Sequence, residues 1–240
     1  MIRSVAAVFL SIGVCVSVFA QETTTKKVTR INLPGSFLVD IGVNRGLSAP
    51  RDFDTGFWGS RTLNLYYQYP IRIAHSNFSL VPGMGLGFER FKMTNNYTLS
   101  SKPGADGTYG LVLADTSILY PGTTKSMIVA NYFDIPVELR FDSRPDDISR
   151  SFNLAVGGRF GVLLDSFTKI KYKQDGETKI VKDKQNHGLN NIRYGLYTRI
   201  GIGGFNWFFM YNSSSLFKKD EGPNKTVMNT FTAGISINGF

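Results

Sequence analysis

The sequence has 240 residues, 27 of them Lys or Arg and 18 Asp or Glu, for a formal net charge of +9. A single cysteine excludes a fold held together by internal disulfides, and two histidines are too few for an ordinary zinc site. After the signal-like N-terminus, no segment reaches the roughly 18 apolar residues of a transmembrane helix.

Residues 1–20 have the composition of a signal peptide. Arg3 supplies a positive charge, an apolar run follows, and the run ends in a small-residue cleavage sequence, so we expect cleavage after Ala20. A lipoprotein site at Cys15 is the alternative, although the residue before it is not small. Residues 21–34 are polar and basic, and we expect them to form a short periplasmic leader.

Eight segments then alternate apolar and polar side chains with a period of two, the pattern of β-strands. These segments are 37–44, 63–73, 80–89, 133–141, 152–162, 192–202, 206–212 and 231–238. The seventh contains a run of apolar residues that blurs the alternation, but Asn206 and Asn212 still fall on one face. An even number of strands is typical of bacterial outer-membrane barrels.

The connections between these segments alternate in length. The long ones are 46–61, 92–125 and 167–190, the intermediate ones 142–150 and 218–227, and the short ones 74–77 and 203–204. This alternation is typical of barrels with long extracellular loops and short periplasmic turns. We therefore predict an all-β fold, an eight-stranded antiparallel up-and-down transmembrane β-barrel over residues 35–240. Both termini are expected in the periplasm.

The polar faces of the strands indicate a filled lumen. They carry many glycines together with nearly balanced charges, four acids and five arginines. The predicted network comprises Asp40, Arg72, Glu89, Asp134, Glu138, Arg140, Arg159, Arg193 and Arg199. Charges enclosed in a narrow barrel must pair or stay hydrated, so the pattern favours a salt-bridged core over an open pore. A purely structural role, in which these residues only hold the barrel together, is the simpler interpretation.

Three stretches resemble a known family. They are 132–141, 152–164 and the Ser215, Leu216, Phe217 sequence before the last polar loop. The chain is similar in them to the PorT-like small outer-membrane barrels of Bacteroidetes, over roughly residues 35–240. The resemblance implies an eight-stranded outer-membrane barrel, and one branch of that family is a component of the type IX secretion machinery. In many outer-membrane proteins the terminal Phe shares the parity of the lipid-facing residues. Phe240 departs from this pattern, because it lies on the opposite parity from the apolar residues of the last strand.

Catalytic chemistry is not apparent in the sequence. His75 falls in a short turn and His187 in a long loop, and neither has the spacing of a nucleophile–base set. Asp146 and Asp147 offer only a weak calcium site. Gly83, Gly85 and Gly87 alternate within a strand, with no helix after them to form a phosphate loop. We expect a protein that is not an enzyme and has no cofactor or metal.

The basic loops indicate contact with an anionic surface. The residues predicted to face lipopolysaccharide are Arg90, Lys169, Lys171, Lys173, Lys218 and Lys219. Lysine and arginine side chains in loops outside the membrane attract the phosphates of anionic lipid. Because the chain carries an export signal, we expect its anionic partner to be a membrane surface and not nucleic acid. A solvated loop of mixed charge is the alternative, because Asp175, Glu177 and Asp183 lie among the lysines.

We therefore predict that the protein works by binding other molecules. The long 92–125 loop carries apolar runs that suit a wall-extending hairpin or a docking surface for a partner. We predict an accessory or scaffold subunit of an outer-membrane assembly, either for protein secretion such as type IX or for barrel insertion. The alternatives are a narrow porin, a stand-alone structural barrel that binds lipopolysaccharide, and a lipid-modifying outer-membrane enzyme.

Overall fold

The computed structural model describes residues 35–49, 53–56, 58–95, 97–103 and 109–239. Strands β1 to β12 of this part of the chain are Ser36–Leu47, Arg61–Gln68, Ile71–Arg72, Phe78–Met93, Tyr97–Pro103, Tyr109–Asp115, Thr123–Asp142, Phe152–Gln174, Glu177–Asp183, Ile192–Ile202, Phe205–Asn212 and Asn229–Asn238. The connections include a one-turn helix, Thr116–Leu119, and two 3-10 turns, Ile148–Arg150 and Pro223–Lys225.

Eight of these strands form a closed ring in which each pairs with two antiparallel neighbours. The order is β1, β2, β4, β7, β8, β10, β11, β12, and the ring closes where β12 pairs with β1. The closing ladder runs from Leu38 opposite Asn238 to Leu47 opposite Asn229. Closure removes the unpaired edges that an open sheet would expose along these strands. The prediction of an eight-stranded antiparallel barrel is confirmed.

The two faces of the wall have opposite character. On β11 the side chains of Phe205, Trp207, Phe209 and Tyr211 point outward and are exposed. The residues between them are buried in the lumen, and two of these are Asn206 and Asn212. The irregular seventh segment is thus an ordinary barrel strand. The exposed apolar band and the polar interior invert the arrangement of a water-soluble β-protein.

Two connections predicted as long loops contain strands. The 92–125 segment holds the β5–β6 hairpin, and β8 continues to Gln174 to form a second hairpin with β9. The extension of β8 keeps strand alternation, with Thr168, Ile170 and Tyr172 on one parity and lysines on the other. Because the outward positions change from apolar to charged there, the extension has the composition of a loop.

Prolines affect two strands differently. Tyr69 and Pro70 interrupt the predicted 63–73 strand, so β2 ends at Gln68 and only two residues pair again as β3. In contrast, Pro82 of β4 lies opposite Val137 in an unshifted register, and no bulge forms around it. The register shifts of the β7–β8 ladder occur elsewhere, at Thr123/Lys125 and Asn131/Tyr132.

Some predictions lie outside the described residues. These are the signal peptide 1–20 with Cys15, the leader 21–34, and the parity of Phe240. Across the described part of the chain, no helix combines the length and apolar character needed to cross a membrane.

Candidate functional site

The lumen contains a first layer of ion pairs centred on Asp134 of β7. Arg193 of β10 donates from Nε to Asp134 Oδ1 at 3.0 Å and from Nη2 to Oδ2 at 2.6 Å. Its remaining Nη1 donates to Glu89 Oε1 of β4 at 2.6 Å. One guanidinium therefore joins two carboxylates from different strands, which is the paired geometry that suits arginine better than lysine.

Neighbouring groups complete this layer. Arg159 of β8 lies 3.5 Å from Glu89 and 3.6 Å from Asp134, and it donates to Asn212 Oδ1 at 2.7 Å. The Tyr66 hydroxyl donates to Asp134 Oδ2 at 2.8 Å. All these side chains are buried. Two arginines thus balance two carboxylates in a place where an unpaired charge would be very costly.

A second layer lies closer to the short-turn end. Arg199 of β10 donates to Glu138 of β7 and, at 3.0 Å, to Asp40 Oδ2 of β1. Arg140 also donates to Glu138, at 2.5 Å, and to Gln68 Oε1 at 3.2 Å. This layer again holds two arginines and two carboxylates. The layers together tie β1, β4, β7, β8 and β10 across the lumen.

Eight of the nine residues grouped from the sequence meet in these layers, and Arg72 does not. Its side chain is 37% exposed at the short-turn end, where it pairs with Asp146 at 2.9 Å and donates to the Ser76 carbonyl. The placement of Arg72 in the lumen was wrong: the residue keeps the inward parity, opposite Ser79, but it lies after the break at Tyr69 and Pro70, at the short-turn end, where its side chain reaches solvent and Asp146.

Inward glycines make room for the first layer. A Cβ on Gly87 would overlap Arg193 Nη2, and a Cβ on Gly161 would overlap Asp134 Oδ1. Gly161 lies directly opposite Asp134 in the β7–β8 ladder. The absence of side chains at these two positions is what allows a guanidinium and a carboxylate to lie flat against the wall.

An apolar plug lies beyond the ion pairs, toward the long-loop end. Its buried members are Phe53, Phe91, Met93, Leu99, Ile128, Ala130, Tyr132, Leu189, Leu216, Phe217 and Met228. They come from inward positions of the barrel strands, from loops and from the β5–β6 hairpin, which supplies Leu99. The Tyr132 ring also packs 3.7 Å from the Arg193 guanidinium carbon, so the plug and the ion pairs are continuous. Apolar side chains therefore fill this end of the lumen.

The predicted lipopolysaccharide-facing residues divide into two groups at the long-loop end. The first group consists of Arg90, exposed on the outer wall of β4, together with three lysines of β8, Lys169, Lys171 and Lys173. Lys218 and Lys219 lie in the loop between β11 and β12, where the Lys218 N–H donates to the Gly188 carbonyl of the β9–β10 connection at 2.8 Å. Lys218 pairs with Glu221 at 3.4 Å.

Three cations near Arg90 were missed from the sequence. Arg61 lies directly opposite Arg90 in the β2–β4 ladder, Lys92 is two residues along the same strand, and Lys125 lies on the neighbouring β7. They fall in segments predicted as loops or strand ends. They come close together only through the pairing of neighbouring strands, and the register of that pairing cannot be predicted from composition.

The candidate catalytic residues remain separate. His75 is exposed in the turn before β4, and the ring of His187 is buried between the Gln185 carbonyl, at 2.8 Å from Nδ1, and Asp183, at 3.4 Å from Nε2. Within the residues described, no three metal-binding side chains gather at one place. Asp146 is instead engaged with Arg72.

The chain was compared with family models, with solved structures and with curated proteins. A family model described as "Outer membrane protein beta-barrel domain" matches residues 19–216. Among solved structures, Ail, the attachment invasion locus protein of Yersinia pestis, is 12% identical over 86% of this chain and 100% of its own, with a TM-score of 0.35. A mutant of the Rh. blastica porin is 11% identical over 85% and 98% of the two chains, with a TM-score of 0.18. A search of curated proteins finds no match.

Proposed function

The chain belongs to the outer membrane protein β-barrel domain family, and on that basis we propose that it is a non-enzymatic accessory or scaffold subunit of an outer-membrane assembly. The barrel resides in the outer membrane, with its exposed apolar band in contact with lipid. In this proposal the long-loop end faces outward and both termini lie in the periplasm, as in related barrel architectures.

The filled lumen is the observation that carries the proposal. A solute path along the axis would have to separate the Arg193–Asp134 and Arg199–Glu138 pairs and displace the apolar plug. Removing one partner of a buried ion pair costs roughly 3–5 kcal/mol. A barrel closed in this way supports a role through its surfaces rather than through transport.

The exposed connection between β6 and β7 is the best candidate for contact with a partner. The one-turn helix there presents Ile118, 79% exposed, and Leu119, 51% exposed. Apolar side chains that project from the long-loop end are typical of sites that bind protein. We propose that the partner is a larger outer-membrane protein. Machinery for type IX secretion is the candidate that the PorT-like resemblance implies, and barrel-insertion machinery is the other.

Co-purification tests the proposal. A tag placed after Gln21, gentle detergent extraction of native outer membranes and mass spectrometry should recover a large barrel protein in stoichiometric amount. The double variant Ile118→Ser/Leu119→Ser should lose that protein while remaining in the membrane. Ile180→Ser on β9, where the residue is 52% exposed and so comparable to Leu119, is the control and should retain it. Recovery of the tagged barrel alone from wild-type membranes would contradict the accessory role.

A second candidate is a stand-alone barrel that binds lipopolysaccharide. The outward cations of β4 and β8 favour it, because they lie at the long-loop end of the wall. This role differs from the first in needing no protein partner. Capture of lipid without a stoichiometric protein would favour it.

A further inference from the structure

Five cations gather on the outer surface of four neighbouring strands. They are Arg61 of β2, Arg90 and Lys92 of β4, Lys125 of β7 and Lys169 of β8, and we refer to them as the cation cluster. Arg61 lies directly opposite Arg90. Met127, opposite both Lys92 and Lys169, joins the two halves of the cluster.

Four of the five line one cavity of about 330 Å³. Its lining residues are Trp58, Gly59, Arg61, Arg90, Lys92, Lys125 and Met127. The lining contains no carboxylate, and among the described residues no ion pair neutralises any member of the cluster. The Arg61 Nε donates to the Trp58 carbonyl at 3.1 Å, which holds this guanidinium at the rim of the cavity.

The cluster is electrostatically unfavourable without an anion. Like charges directly opposite each other on antiparallel strands destabilise a sheet, and Arg61 and Arg90 are such a pair. Burial, together with the charges of Lys92 and Lys169, holds the pKa of Lys125 below its ordinary value. A doubly charged oxyanion would relieve this repulsion and supply several acceptors to the surrounding donors.

The position of the cluster indicates the kind of anion. On the same outward faces, Leu63 follows Arg61 and Phe88 precedes Arg90 by two residues each, a distance of about 7 Å along the strand. The cavity therefore lies immediately beyond the apolar band. An exposed tryptophan, Trp58, stands at its rim, as aromatic residues do at the boundary between lipid and water.

We propose that this cavity binds the phosphate group of a membrane lipid whose acyl chains lie along the adjoining apolar wall. Arg61, Lys92 and Lys125 contact the phosphate, and Arg90 neutralises its remaining charge. The inference deepens the lipid-binding candidate and rests on the apolar band lying in lipid. It does not depend on the accessory role, which co-purification tests separately.

Fluorescence of Trp58 tests the site in the intact protein. Trp207→Phe removes the other tryptophan, and the protein in neutral dodecyl maltoside is titrated with dioleoyl phosphatidic acid. Dioleoylglycerol, with the same chains and no phosphate, and inorganic phosphate, with no chains, are the comparison ligands. We expect a saturable change with phosphatidic acid alone.

Paired variants establish which cations matter. Lys92→Gln/Lys125→Gln should raise the midpoint of the phosphatidic acid titration by about tenfold, through loss of two charge-assisted hydrogen bonds. Lys218→Gln/Lys219→Gln removes the same charge from the β11–β12 loop, which does not line the cavity, and should leave the midpoint unchanged. Equal weakening in both variants would overturn the site in favour of diffuse attraction. Saturation by inorganic phosphate at the same concentration would overturn the lipid assignment.

Discussion

The Arg193 guanidinium donates two hydrogen bonds to the Asp134 carboxylate in the barrel lumen, of 3.0 and 2.6 Å. The two residues are 59 positions apart in sequence and lie on β10 and β7, which β8 separates in the ring. Because the pair connects strands that do not hydrogen-bond to each other, it stabilises the closed cross-section of the barrel.

Loss of Arg193 should destabilise the barrel severely. Arg193→Met leaves Asp134 and Glu89 with Arg159 as the only guanidinium paired with them among the described residues, at 3.6 and 3.5 Å. The expected loss is roughly 3–5 kcal/mol in the free energy of unfolding, measured by urea titration in lipid vesicles. Arg72→Met, which breaks the exposed pair with Asp146, should cost about 0–1 kcal/mol. Similar small losses in the two variants would show that the buried pair does not stabilise the barrel.

A methyl group at Gly161 should disturb the same pair. Its Cβ would overlap Asp134 Oδ1 and stand 3.0 Å from Arg193 Cγ. The expected cost of Gly161→Ala is about 1–3 kcal/mol, as for other overpacked interiors. Gly158→Ala is the matched control, because its outward Cβ would meet nothing nearer than 3.8 Å. If both variants unfold at the wild-type urea concentration, the lumen is less closely packed than described.

Removal of Lys125 should stabilise the lipid-free barrel. The pKa of Lys125 is lowered by burial and by Lys92 and Lys169, so folding disfavours its charged form. The charged lysine therefore lowers the free energy of unfolding. This loss is complete at pH values below the lowered pKa, and it disappears as the pH rises from that pKa to above about 10.4, the ordinary lysine value. Lys125→Gln should therefore raise the urea midpoint near neutral pH, and its advantage should shrink at high pH. A lower midpoint for Lys125→Gln near neutrality would contradict the repulsion.

The histidine loop should be catalytically silent. His187 is engaged with the Gln185 carbonyl and Asp183, and no serine or cysteine nucleophile is brought to it by the contacts described. His187→Ala should leave the mass spectrum of extracted lipopolysaccharide identical to that of the wild type. Disappearance of a lipid modification in the variant, with barrel abundance unchanged, would instead establish a lipid-modifying enzyme.

The ring could be predicted from sequence because the alternation of apolar and polar residues along each barrel strand distinguishes its outward face from its inward face. Asp134 and Arg193 occupy the polar parity of their strands, and that parity alone places both in the lumen. The length alternation of the connections then fixes which strand ends lie together. These properties are local, and they follow from the period of two in a strand.

The remaining features depend on where strands stop and how they pair. Arg72 kept the expected parity, but the break at Pro70 removed it from the main strand. The cation cluster combines Arg61 with Lys169, more than a hundred residues later, through the registers of three successive ladders. No local pattern contains that information, and the lysine-rich end of β8 has the composition of a loop.

Conductance in a planar lipid bilayer tests the central claim most directly, since a barrel that acts through its surfaces must be closed. Purified protein, with a large-pore porin as positive control, should give no current steps above the lipid background across the usual voltage range. Regular ohmic steps from the wild-type protein would contradict the account, because ions would then pass through the space that the two ion-pair layers and the apolar plug occupy.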